Sequence, residues 1–166
     1  MKLTITTILV LILTTNLFTN KTEFSLTKAA SLIYVDAAPL YKIEKIEFKT
    51  SRCMGPCPVI ELEINADRTA NYNAILFNDK EGKFKTTIDA KNYNAIINLL
   101  NENDFPNLED GYQVKGFDYP TYILIITFDN GKIKEINDYG GMGTKGLEKI
   151  YNKLLELREN QSWKKS

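Results

Sequence analysis

Polar and apolar residues change their period several times along the chain, and each change marks an element. Ile46 and Phe48 alternate with Lys45, Glu47 and Lys49, the period-2 signature of a half-buried strand. Ile60, Leu62 and Ile64 alternate with Glu61, Glu63 and Asn65, which predicts a second strand with a charged outer face. An Asp67-Arg68 turn leads into a returning strand through Ala70, Tyr72, Ala74 and Leu76. A further short strand follows through Phe84, Thr86 and Ile88. The period then lengthens. Tyr93, Ile96, Ile97 and Leu100 recur at i, i+3, i+4, i+7, so residues 90–103 are predicted to form an amphipathic helix capped by Asp89.

The second half repeats that order. Residues 121–128 are β-branched and almost all apolar, Asp129-Asn130-Gly131 reads as a hairpin turn, and residues 132–137 return. Leu147, Ile150, Tyr151 and Leu154 place one apolar stripe on a helix over about 145–159. At an offset of 62 the halves share Pro58/Pro120, Leu62/Leu124, Ile64/Ile126 and Asp67/Asp129. Duplication of a strand-strand-helix unit would give this, and so would the pattern common to any two such hairpins. The expected fold class is α+β, an antiparallel sheet of about five to six strands with two helices packed on one face. In the strand 121–128, Tyr122, Leu124, Ile126 and Phe128 face one way, while Ile123, Ile125 and Thr127 face the other. One face takes the helices; the other calls for cover from the N-terminal segment, a loop or another subunit.

Ahead of the first strand the pattern differs. Residues 3–18 are apolar and threonine-rich behind a single lysine. At about 1.5 Å per residue they span roughly 24 Å, short of the ~30 Å hydrocarbon core. Residues 1–19 are therefore expected to be a signal peptide, residues 20–40 a linker, and residues 41–166 a single domain. The expected location is outside the cytoplasm, periplasmic or secreted, with membrane contact only through an uncleaved N-terminal segment.

Composition narrows the chemistry. Lys+Arg and Asp+Glu are 21 each in 166 residues, so no basic excess points to nucleic acid. Histidine is absent, which excludes Ser-His-Asp and Cys-His catalysis as well as histidine-ligated metals. The two cysteines, Cys53 and Cys57, lie in Ser51-Arg52-Cys53-Met54-Gly55-Pro56-Cys57-Pro58, where two prolines enforce a tight loop. In an oxidising compartment a pair this close is expected to form a disulfide. Two alternatives stay open: thiol redox chemistry, with Arg52 favouring the Cys53 thiolate, and a Cu(I) site of Cys53, Met54 and Cys57.

Two further groups carry candidate chemistry. Gly140, Gly141, Gly143 and Thr144 lie between a strand and a helix, where backbone amides could hold an anion or small ligand. The spacing does not match a phosphate-binding P-loop, and Thr144 also reads as a plain N-cap. Asp118-Tyr119 and Asp138-Tyr139 flank the second hairpin, so the two carboxylates form a candidate acidic site; no nucleophile accompanies them. The terminal Trp163 is expected to dock the last helix onto the core.

Taken together, Cys53-Met54-Gly55-Pro56-Cys57-Pro58, the Asp67 turn, Asp118-Tyr119-Pro120-Thr121, Asn130-Gly131-Lys132 and Asp138-Tyr139-Gly140 resemble the DUF6438 family, an uncharacterised domain of exported bacterial proteins. The likeness spans about residues 41–163. It departs at Arg68, where a glycine would suit the turn, and in the Gly140-Gly141-Met142-Gly143 stretch. The resemblance implies the fold and export and supplies no catalytic residues. The C-x-x-x-C-P spacing is also similar to that of Sco-type copper chaperones, but those add a histidine and place the motif at the start of a helix. The functional expectation is a non-enzymatic binding or interaction module of the cell envelope. It would need no cofactor, would engage a protein or small ligand there, and would use Cys53–Cys57 as a staple; the alternative is a thiol-redox or Cu(I)-handling protein.

Overall fold

The strand bearing Ile46 and Phe48 lies at the middle of the sheet, flanked by the two hairpins that the sequence pattern marks out. A computed structural model describes residues 41–166; the expected signal peptide and linker lie outside the described residues. In chain order the elements are β1 (Ile43–Thr50), β2 (Val59–Asn65), β3 (Thr69–Leu76), β4 (Gly82–Thr87), α1 (Ala90–Glu102), a 3-10 turn (Phe105–Asn107), β5 (Gly111–Gln113), β6 (Thr121–Phe128), β7 (Ile133–Tyr139), α2 (Lys145–Asn160) and β8 (Lys164–Lys165). They form one eight-stranded sheet of order β5-β7-β6-β1-β2-β3-β4-β8. Every pairing is antiparallel except β5 with β7.

The strand count exceeds the expected five to six. Both extra strands are too short for periodicity to register, and each exists because a neighbour holds it. β5 pairs with β7 through Asn137 N–H to the Asp110 carbonyl (2.8 Å), helped by the Lys134 ammonium, which bonds the Asp110 carboxylate. β8 runs along β4 because Trp163 just before it is anchored in the core.

Period-2 burial follows the pattern closely. Ile60, Leu62 and Ile64 of β2 are buried, as are Leu124, Ile126 and Phe128 of β6. In β1 the register against β6 shifts between Ile43 and Lys45, a bulge that lets Ile43 and Ile46 both reach the core. At the β2–β3 turn Arg68 takes a left-handed conformation (φ 70°) where a glycine would be unstrained. Asp67 Oδ1 accepts from the Thr69 N–H (2.9 Å), and the Arg68 guanidinium donates to the Ile88 carbonyl (3.3 Å), which together hold the turn.

Both helices cover the same face. Asp89 caps α1 by accepting from the Asn92 N–H (2.9 Å), and Thr144 caps α2 by accepting from the Leu147 N–H (3.0 Å). The helices run antiparallel: the Gln161 side chain bonds Asp89 at one end (2.7 Å), and Gly146 lies against Asn103 at the other. α2 crosses the strands. Its Tyr151 stacks on Phe48 of β1 (5.7 Å between centroids) and on Tyr122 of β6 (5.1 Å), and Trp163 beyond it meets Tyr72 of β3 (5.2 Å). On the opposite face Ile123 and Ile125 are half-buried, in register with Lys49 and Glu47 of β1. No helix among the described residues is long and apolar enough to cross a membrane.

Candidate functional site

β1, β3, β5 and β7 end at the same edge of the molecule where β2, β4 and β6 begin, so four loops converge there: residues 51–58, 77–81, 114–120 and 140–144. Five of the exposed large apolar side chains sit on these loops: Met54 (81% exposed), Phe77 (49%), Phe117 (91%), Tyr119 (42%) and Met142 (51%). Such concentration at one end of a sheet is the usual mark of a recognition surface.

Cys53 and Cys57 form a disulfide at the tip of the first of these loops, their Cα atoms 5.8 Å apart. The base of the loop is held separately. Buried Thr50 donates its hydroxyl hydrogen to the Pro58 carbonyl (2.6 Å) and accepts from the Ile60 N–H (3.1 Å). Ser51 exchanges two bonds with Thr121, through its own N–H (3.0 Å) and its Oγ (2.8 Å), which fasten the loop to β6. The disulfide therefore closes an exposed tip on an already braced base.

The glycine-rich loop is shaped by tyrosines. A Cβ on Gly141 would stand 2.7 Å from the Tyr122 ring, and one on Gly143 would stand 2.3 Å from that of Tyr112. Only glycine permits both rings to lie against this backbone. The Gly143 N–H donates to Asp138 Oδ2 (2.9 Å), so that amide is engaged by a carboxylate of the chain itself. Asp138 is fully buried and faces the Tyr151 hydroxyl; burial, then this neighbouring charge, holds the Tyr151 phenol far above its ordinary pKa. Asp118 stands on the exposed loop before β6 in a left-handed conformation (φ 71°). The aromatic partners of the two aspartates do meet: the Tyr119 N–H donates to the Tyr139 hydroxyl (3.2 Å), and their rings pack edge to face. Among the described residues, no three His, Cys, Asp or Glu side chains converge as a metal-holding group.

A cleft of about 720 Å³ lies beside the disulfide loop, between the β3–β4 loop and the segment that follows α2. Tyr72, Phe84, Phe77 and Trp163 supply aromatic walls, and Pro58, next to Cys57, forms part of its rim. Tyr72 and Phe84 are register partners across β3 and β4, with centroids 6.0 Å apart. The Trp163 indole N–H donates to the Leu157 carbonyl (2.8 Å), which fixes the wall to α2 as the sequence suggested. Asn78 ties the cleft together. Its Nδ2 donates to the carbonyls of Leu76 (2.8 Å) and Val59 (3.2 Å), and its Oδ1 accepts from the Tyr72 hydroxyl (2.9 Å). Arg158 reaches the same Oδ1 (3.4 Å), while its Nε donates to the Leu155 carbonyl (3.0 Å). Burial raises the Tyr72 phenol pKa, and the Arg158 charge works against that rise. A second groove of about 420 Å³ lies over Glu47, Lys49, Glu61 and Glu63 on the polar sheet face.

Apart from Trp163 and Pro58, sequence reasoning did not single out the cleft residues. The Tyr72–Phe84 pair could have been found by folding the hairpin about its turn. Arg158, one of only three arginines, stands four residues beyond Leu154 at the end of an apolar helical stripe. Phe77 and Asn78 left no periodic signal, because a loop has none.

A family model described as a domain of unknown function (DUF6438) matches residues 44–158, from β1 through the cleft arginine. No curated protein matches the chain.

Proposed function

The chain belongs to the DUF6438 family, and from that premise we propose that it is an exported, non-enzymatic binding module of the cell envelope whose ligand seat is the cleft beside the disulfide loop. The observation that carries this is the cleft itself: about 720 Å³ with four aromatic walls and a polar rim that includes Asn78, Asp79, Lys80, Arg158 and Glu159. Ligand sites for small molecules have this size. The disulfide acts as a staple of the neighbouring loop, and the apolar N-terminal stretch serves export. Fragment screening by two-dimensional amide NMR tests the reading. Bound fragments are expected to shift the Trp163 indole signal and the amides of residues 77–80. Binders that map consistently to another face would remove the cleft from the account.

One observation favours a second reading, in which the protein handles thiol redox chemistry or Cu(I). The disulfide stands on an exposed tip, next to the soft thioether of Met54, 81% exposed. Stoichiometric Cu(I) uptake by the reduced protein, abolished in Cys57→Ser, is its expected result. Absence of uptake at micromolar metal would end the copper version.

A further inference from the structure

Arg158 is a largely withdrawn guanidinium whose hydrogen bonds within the chain go to neutral partners. Two of its nitrogens are already oriented, Nε by the Leu155 carbonyl (3.0 Å) and Nη1 by Asn78 Oδ1 (3.4 Å). Both partners are neutral. The carboxylate nearest in its ion pairing is Glu159, 3.8 Å from Nη2, and the two differ sharply in environment: the Glu159 side chain is 79% exposed and that of Arg158 only 22%. A pair so long and so wet contributes little. A largely withdrawn arginine with an open Nη2 is the group that best engages a carboxylate, because its planar fork matches two oxygens.

The surroundings define the rest of the ligand. Tyr72, Phe84 and Trp163 form a continuous aromatic surface, with Tyr72 5.2 Å from Trp163 and 6.0 Å from Phe84. Phe77 completes it from the rim, half-exposed and in a left-handed conformation (φ 55°) that a bulky residue rarely adopts. Glycine there would be free of strain, so the fold retains an aromatic ring where the backbone disfavours one, as strained residues at binding sites do. The lining also carries Lys80 and the carboxylates Asp79 and Glu159, all exposed; Arg158 is the charged group of the cleft that is largely withdrawn from water.

We propose that the cleft takes an organic carboxylate with an aromatic body, its acid group on the Arg158 guanidinium and its ring against Trp163 and Tyr72. The assignment rests on the cleft being the ligand seat. Trp163 is the only tryptophan, so its fluorescence reports on the cleft directly.

The test titrates the full domain with N-acetyl-L-phenylalanine and, separately, with N-acetyl-L-phenylalaninamide, which differ only in the charged oxygen. Wild type is expected to bind the acid about tenfold or more tighter than the amide, the usual advantage of a charge-assisted pair. Arg158→Gln should erase that preference, and Arg158→Lys should keep only part of it. Equal affinity of acid and amide for wild type would overturn the carboxylate assignment and leave the cleft reading standing. No saturable response to either compound would overturn both. The wild-type comparison decides without any variant, so a folding defect in Arg158→Gln does not obscure it. A tripeptide ending in the same free phenylalanine separates the sources of the acid: tighter binding than the acetylated amino acid assigns a peptide terminus, and equal binding a free aromatic acid.

Discussion

Replacing Asn78 by alanine removes the post on which the cleft is built, and the structure sets how much that should matter. Three of its hydrogen bonds have ordinary geometry: to the Leu76 carbonyl (2.8 Å), from the Tyr72 hydroxyl (2.9 Å) and to the Val59 carbonyl (3.2 Å). The fourth, from Arg158, is longer (3.4 Å) and is left out of the sum. At about 1 kcal/mol net for each, Asn78→Ala should lower stability by about 3 kcal/mol. The loss leans to the high side because Tyr72 is buried. For a domain of this size that corresponds to a fall in Tm on the order of 10 °C. Urea unfolding followed by Trp163 fluorescence and far-ultraviolet circular dichroism gives the free energy. Asn78→Asp serves as the control for orientation. It keeps an acceptor for Tyr72 and gives Arg158 a charged partner, but turns the other oxygen toward two carbonyls, so it should remain less stable than wild type. A loss below about 1 kcal/mol for alanine would refute the reasoning. An aspartate variant as stable as wild type would mean that the amide is not oriented as described.

Replacing both Cys53 and Cys57 by serine opens a five-residue ring; in the chain-entropy model this removes about 2 kcal/mol, and calorimetry should show a Tm lower by roughly 8 °C. The Thr50 and Ser51 bonds should keep the loop base in place, so the β-sheet signature in circular dichroism is expected to persist. Asp89 is held below its ordinary pKa, chiefly by the Asn92 side chain, then by the Asn92 N–H and Gln161. Its stabilisation is present above the unfolded carboxylate pKa near 4 and fades as pH falls below it, so Tm should decline in acid, and Asp89→Asn should flatten that decline. Burial raises the pKa of Tyr72, Tyr93, Tyr122 and Tyr151. Stability from these phenols is complete below about pH 10 and lost above it, and absorbance at about 295 nm should show them ionising together with unfolding, not before it.

What the sequence disclosed and what it withheld divide along physical lines. Both helices were legible because Ile96 with Leu100, and Ile150 with Leu154, recur at the helical period that burial imposes. Asp89 and Thr144 announced the starts, since few residues satisfy a first-turn amide as well. The central strands were legible from strict alternation. β5 and β8 were not, because two or three residues carry no period and their pairing depends on Lys134 and Trp163 reaching from elsewhere. At the site, the Cys53–Cys57 disulfide was legible from the spacing of the two cysteines. The cleft was hidden because its four walls come from β3, β4, a loop and the C-terminal segment, which only the tertiary fold brings together. The tyrosine rings against Gly141 and Gly143 explain a glycine run that composition alone leaves open to several readings.

The choice between a binding module and a thiol-handling protein turns on one number, the reduction potential of the Cys53–Cys57 pair. Equilibration of the protein with defined thiol buffers, followed by alkylation and mass spectrometry, measures it. A staple is predicted to lie below about −300 mV, beyond the reach of glutathione. A value near −200 mV, or free thiols in the protein as isolated, would contradict the account and move the chemistry to the cysteines.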